Sequence, residues 1–313
     1  RLVRVSQAYF DVLAAQDTRS VVQAQTAAVS EQLASAKRNF EVGTSTVTDS
    51  REAQARYDLV IAQEIAAEND LRVKKLALDQ LVGITGTQPP ALAQPVQLPS
   101  VQPDDVAAWV QTAQDQQPGV RQAQIALDIA RLETRKAGTG HLPTVDLQAG
   151  YNIARNPNGT VTTPGMNSRT NNASVGVALN LPLFAGFAVQ NRIKETLALE
   201  EKAQADLETT RRNVAQATRA AFFGVQSGQG QVRALEAAEA SSQSALDANK
   251  LGYQVGVRIN IDVLNAQSQL FQTKRDLAQA RYNVLLGTLK LRQAAGSLSE
   301  DDVAAINRLL LQP

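Results

Sequence analysis

Apolar positions in this chain keep two rhythms. Between Asp262 and Gln293, Leu264, Phe271, Ala278 and Leu285 recur every seventh residue, and so do Leu270, Leu277, Val284 and Leu291. Such a period keeps its members on one helical face, so two adjacent stripes predict a long helix with two helical neighbours. From Thr144 to Ile153 the rhythm changes: Val145, Leu147, Ala149, Tyr151 and Ile153 alternate with Asp146, Gln148, Gly150 and Asn152. From Ser174 to Leu183, Val175, Val177, Leu179, Leu181 and Leu183 alternate with smaller or polar residues and Pro182. Alternation predicts strands with one apolar face, and about ten residues is what a tilted strand needs to cross a bilayer. Residues 154–173 between them, rich in Asn, Thr, Gly, Pro and Ser, are predicted to be an external loop.

Proline divides the rest. Residues 1–88 and 183–312 contain none and are rich in Ala, Gln, Leu, Glu, Arg and Lys, the composition of long helices. When the chain is slid along itself by 213 positions, Phe10, Val12, Gln16, Leu33 and Lys37 fall on Phe223, Val225, Gln229, Leu246 and Lys250. Val42, Gly43, Asp49, Gln54, Leu76, Leu78 and Gly83 then fall on Val255, Gly256, Asp262, Gln267, Leu289, Leu291 and Gly296. Each copy reads as helix, break, helix and glycine stop, a helical hairpin. The expected organisation is a first hairpin over 1–83, a connector with a short helix over 84–118 and a helix over 119–142. A membrane β-hairpin over 143–184, a second helical hairpin over 185–296 and a C-terminal connector helix over 297–313 complete it.

Backbone groups at an open strand edge cost several kcal/mol each in lipid, so membrane strands occur in closed barrels. One hairpin cannot close. The repeat predicts another hairpin upstream of Arg1, whose own position aligns with Val214 inside a helix. The chain therefore reads as a processed or truncated product whose first residues are helical and pack beside Val214 to Val225. Four strands are still too few for a barrel, which points to several chains sharing one.

Composition excludes much else. Among 313 residues, 31 basic and 30 acidic side chains leave a net charge of +1, which offers no footprint for nucleic acid. There is no cysteine and a single histidine, His141, so thiol chemistry and a histidine metal cluster are excluded; no cofactor and no enzyme activity are expected. Aromatics at 4% against 43% apolar residues suit thin helices packed through Ala, Leu and Val. His141, Trp109, the acidic pairs Glu200-Glu201 and Asp301-Asp302, and the closely spaced Gly224 and Gly228 all read as packing or surface features.

The sequence Gly140-His141-Leu142-Pro143-Thr144-Val145-Asp146-Leu147 opens the β segment and Leu181-Pro182-Leu183-Phe184-Ala185-Gly186 closes it. Together with Tyr253 to Leu264 at the second helical break and Gly296-Ser297-Leu298-Ser299, they resemble TolC-type outer-membrane efflux and secretion channels. The resemblance covers essentially the whole chain. It implies a mainly α fold with a transmembrane β-hairpin: a homotrimer sharing a 12-stranded barrel in the bacterial outer membrane, with an α-helical barrel reaching into the periplasm. It further implies a duct for drugs, toxins or proteins that works with a periplasmic adaptor protein and an inner-membrane translocase. A periplasmic coiled-coil adaptor or scaffold is the competing reading, because its helical hairpins would look alike.

The resemblance also singles out residues. Gly43 and Gly256 are the helix-break glycines, and at the breaks Thr48 and Asp49 correspond to acceptors and Tyr253 and Arg258 to donors of a periplasmic gate. Asp262 and Asn265, three residues apart on one helix face, correspond to a pore constriction. In the family's best-known member both positions are acidic, so Asn265 implies weaker cation preference here. As local structure alone, Asp49 and Asp262 read as N-cap residues.

Overall fold

The computed structural model describes residues 2–93, 96 and 98–310. In chain order the elements are α1 (Leu2–Glu41), α2 (Val47–Val82), α3 (Val106–Gln116), α4 (Pro118–Gly138), β1 (Thr144–Asn156), β2 (Gly159–Thr160), β3 (Thr163–Pro164), β4 (Ser168–Asn180), α5 (Ala188–Gln254), α6 (Asn260–Ala294) and α7 (Glu300–Asn307). They form two compact units, residues 119–210 and residues 1–118 with 211–313.

In the larger unit, α1 and α2 form the first hairpin, and α6 packs on α1. Phe10, Leu13 and Ala14 of α1 are buried with Tyr282, Leu285, Leu286 and Leu289 of α6. A second cluster joins Phe222, Val225 and Val232 of α5 to Leu277, Val284 and Leu291 of α6, with Trp109 of α3. The two α6 stripes thus serve two neighbours. The first residues are helical as expected, but Phe10 finds its buried partners on α6 and not on the Val214 to Val225 stretch. Close approach of α5 to α6 requires glycine at Gly228, where a Cβ would lie 2.9 Å from a Val284 methyl carbon.

The connector is held by local chemistry. Asp105 caps α3 by accepting from the Ala107 amide at 2.9 Å, and the buried Trp109 donates its indole N–H to the Pro103 carbonyl at 2.8 Å. Leu92 bridges to Leu310 as a single antiparallel pair. Ser299 and Asp302 form a capping box at α7, and Asp302 pairs with Arg292 at 2.8 Å.

In the smaller unit, β1 and β4 pair antiparallel from Thr144↔Asn180 to Asn156↔Ser168. Residues 154–156 and 168–173, expected in the loop, are therefore strand, because backbone pairing runs on past the apolar alternation. The second strand stops at Asn180, short of Leu183; Pro182 has no N–H to offer a ladder. The register sets Val145 beside Leu179, Leu147 beside Val177 and Ala149 beside Val175, so one face of the hairpin is apolar from there to Tyr151↔Ala173 and turns polar at Asn171 and Arg155↔Arg169. The six residues of those first three pairs are all exposed.

Candidate functional site

The two helical breaks are built alike, down to individual hydrogen bonds. At the first, the Gly43 amide donates to the Phe40 carbonyl at 3.0 Å and the Thr44 amide to Asn39 at 2.8 Å. At the second, the Gly256 amide donates to Tyr253 at 3.2 Å and the Val257 amide to Gly252 at 2.9 Å, each 213 positions on. Gly43 and Gly256 both have φ of 79°, the left-handed conformation that satisfies a helix's last carbonyls and that a Cβ disfavours.

The restarts differ. Thr46 caps α2: its hydroxyl accepts from the Asp49 amide at 3.1 Å, and the Asp49 carboxylate accepts from the Thr46 amide at 3.0 Å. Asp49 is thus the third residue of α2, not its cap; Asp262 likewise lies inside α6, three residues after Ile259. Partial burial acts to raise the pKa of Asp49, but hydrogen bonds from the Ser45 hydroxyl at 2.7 Å and from Thr46 outweigh it and hold the carboxyl below its usual value.

A cleft of about 990 Å³ lies between the breaks, and Asp49, Tyr253, Arg258 and Asn260 all line it. Their contacts within the chain are distributed otherwise than as a donor–acceptor set. The Tyr253 hydroxyl accepts from Asn39 Nδ2 at 3.2 Å. Arg258 Nη1 lies 3.7 Å from Asp262 Oδ2, one helical turn on, and its stem lies over Gly252, where a Cβ would meet the Arg258 Cγ at 2.6 Å. Thr48 is exposed on the first turn of α2. Asn265, also exposed, accepts from Arg56 Nη2 of α2 at 3.1 Å.

Sequence reasoning missed Asn260. Fully buried at the start of α6, it accepts from Gln32 Nε2 of α1 and donates Nδ2 to the Asp49 carbonyl at 3.3 Å. One side chain ties both breaks to α1. An Asn between Ile259 and Ile261 was the available signal, since a buried amide requires partners.

The profile of the outer membrane efflux protein family matches residues 2–84 and 109–297, which include both helical hairpins and the β-hairpin. This chain belongs to that family. The outer membrane protein TolC of Vibrio cholerae is 38% identical over 307 residues, covering 98% of this chain and 70% of that protein. The alkaline protease secretion protein AprF of Pseudomonas aeruginosa is 31% identical over 309 residues, covering 97% of this chain and 63% of that protein. The chain thus spans about two thirds of the length of such relatives. The outer membrane protein VceC of Vibrio cholerae superposes with a TM-score of 0.76 at 18% identity, over 94% of this chain and 69% of that one, and so shares the fold.

Family membership decides between the two readings of the helical hairpins. An outer membrane efflux protein is an outer-membrane channel chain, not a soluble adaptor. No helix among the described residues is long and apolar enough to cross a membrane. His141 and the exposed Phe184 and Phe187 line a small cavity of about 210 Å³ beside the hairpin.

Proposed function

We propose that copies of this chain close into a homotrimeric duct through the periplasm and outer membrane, the exit for small toxic compounds or secreted proteins. The observation that carries this reading is a mismatch between the repeats. Phe10 and Leu286 are buried in one cluster where α1 meets α6. Their repeat equivalents, Phe223 and Val73, are each 54% exposed. The α1–α6 contact therefore lacks its counterpart between α5 and α2, and a neighbouring copy would supply it. Leu59, Ile65 and Leu76 continue the uncovered face of α2.

The β-hairpin asks for the same solution. Its exposed apolar face suits lipid, and the outer edges of β1 and β4 pair with no other strand among the described residues. Closing such edges needs strands from further chains. Three copies, each with an upstream hairpin as the repeat implies, would make the 12-stranded barrel.

The cleft between the breaks is the proposed periplasmic gate. Thr48, Asp49, Tyr253 and Arg258 would tie inner to outer helices in the closed ring, and a docked periplasmic adaptor, itself bound to an inner-membrane translocase, would release them. Asp262 and Asn265 would face the constriction. Planar-bilayer recording of the intact protein tests this: a small resting conductance is expected, with cation preference reduced by Asp262→Asn and increased by Asn265→Asp. Unchanged ion preference in both variants would remove Asp262 and Asn265 from the pore.

A further inference from the structure

A second cleft, of about 450 Å³, lies where α1, α2 and α6 meet, and its charge is one-sided. Arg56 and Arg275 line it together with Gln25, Gln63, Gln269 and Gln272, and no carboxylate does. Arg275, half buried, donates Nη1 to Gln25 Oε1 at 3.1 Å and Nη2 to Gln272 Oε1 at 2.7 Å. Arg56 donates to Asn265 at 3.1 Å. Neither arginine has a carboxylate within 4.0 Å among the described residues. Two acids on the same helices bond to other partners: Asp276 accepts from Gln272 at 2.8 Å and Glu64 from the Thr26 hydroxyl at 2.7 Å.

A guanidinium has five donors in a fixed fork. Two of those on Arg275 and one on Arg56 are used by amides, which orient the forks without cancelling their charge. Partial burial works against the charged form of Arg275 and the charge of Asp276 offsets it only in part; an oxyanion would relieve that cost with bidentate hydrogen bonds. Asn265 and Gln272 stand two turns apart on α6, about 10 Å at 1.5 Å per residue. Two forks set apart along α6 call for a ligand with an oxyanion at either end.

We infer that this cleft is a binding site for a small solute carrying two oxyanion groups, a linear dicarboxylate or its phosphate counterpart, with Arg56 and Arg275 as its two ends. Titration calorimetry of the intact protein at fixed ionic strength, with adipate and acetate as probes, tests it without requiring an open channel. Adipate is expected to bind at least tenfold more tightly than acetate. Arg56→Gln and Arg275→Gln should each abolish that advantage, whereas Lys202→Gln, which removes the same charge elsewhere, should leave it intact. Should Arg275→Gln lose its helical circular dichroism, Arg56→Gln carries the test alone. Equal affinities for the two probes, or the same loss in Lys202→Gln, would overturn the site.

Discussion

The Asn260 side chain donates to the Asp49 backbone carbonyl across 3.3 Å, joining the start of α6 to the start of α2 beneath the cleft between the breaks. Its other end accepts from Gln32, so three helices meet at one amide. Removing one partner of a buried hydrogen bond leaves the other unsatisfied at about 1 to 3 kcal/mol. Asn260→Ala should accordingly lower the thermal midpoint, read by circular dichroism, whereas alanine at the exposed Thr48 should leave it within the error of measurement.

The glycines at positive φ separate into two kinds. Around Gly43 a Cβ would meet nothing within 4 Å, so Gly43→Ala costs only the backbone term of about 1 to 2 kcal/mol. At Gly296, with φ of 71°, a Cβ would lie 2.7 Å from the Gln117 Cα, in a backbone that cannot step aside. Gly296→Ala should therefore destabilise clearly more than Gly43→Ala in denaturant titrations. Equal effects would mean that the chain after α6 relaxes away from Gln117.

A pH-dependent difference is expected at Asp17. Burial raises its pKa, and the Tyr282 hydroxyl, bonded at 2.6 Å, and nearby Arg281 only partly offset this. A carboxyl with a raised folded pKa favours the fold below its unfolded pKa of about 3.9, and that contribution is lost as pH rises through the folded value. Asp17→Asn accepts the Tyr282 hydrogen bond without burying charge. Its stability relative to the parent should thus be greater at pH 7 than at pH 3, as measured by guanidinium midpoints at the two pH values.

At the proposed gate, exposed polar links would be worth about 0.2 to 1 kcal/mol each. Repeated around the proposed threefold ring they would sum to a few kcal/mol, enough to hold an entrance closed and little enough for a bound partner to reverse. Tyr253→Phe combined with Arg258→Ala should raise resting conductance in a planar bilayer. A double variant that still assembles yet conducts as the parent does would return these residues to their local contacts with Asn39 and Asp262.

Much of this architecture was legible because it rests on periodicity. Seven-residue stripes gave α6 its two neighbours, and the shift of 213 placed Gly43 and Gly256 in the same turn. Burial was less legible than identity: Leu76 and Leu289 are equivalent by repeat, yet one is 63% exposed and the other 1%. The difference lies in what covers them, which no local pattern states. Strand ends were misread for a related reason. Backbone pairing continues through Ala154↔Thr170 and Arg155↔Arg169, where side chains no longer alternate, and it stops ahead of Leu183, where they still do. Asn260 escaped notice because one amide among apolar neighbours has no period at all.

The pairing of Phe223 with Val73 between copies is the most direct test of the closed ring. These 313 residues contain no cysteine, so Val73→Cys with Phe223→Cys introduces two thiols among them, at positions whose equivalents, Leu286 and Phe10, are buried together. Treating the intact double variant in membranes with a short bifunctional maleimide should give covalent dimers and trimers and nothing larger on denaturing gels, while each single variant stays monomeric. Absence of any cross-link between copies, in protein that has folded and reached the outer membrane, would contradict the ring.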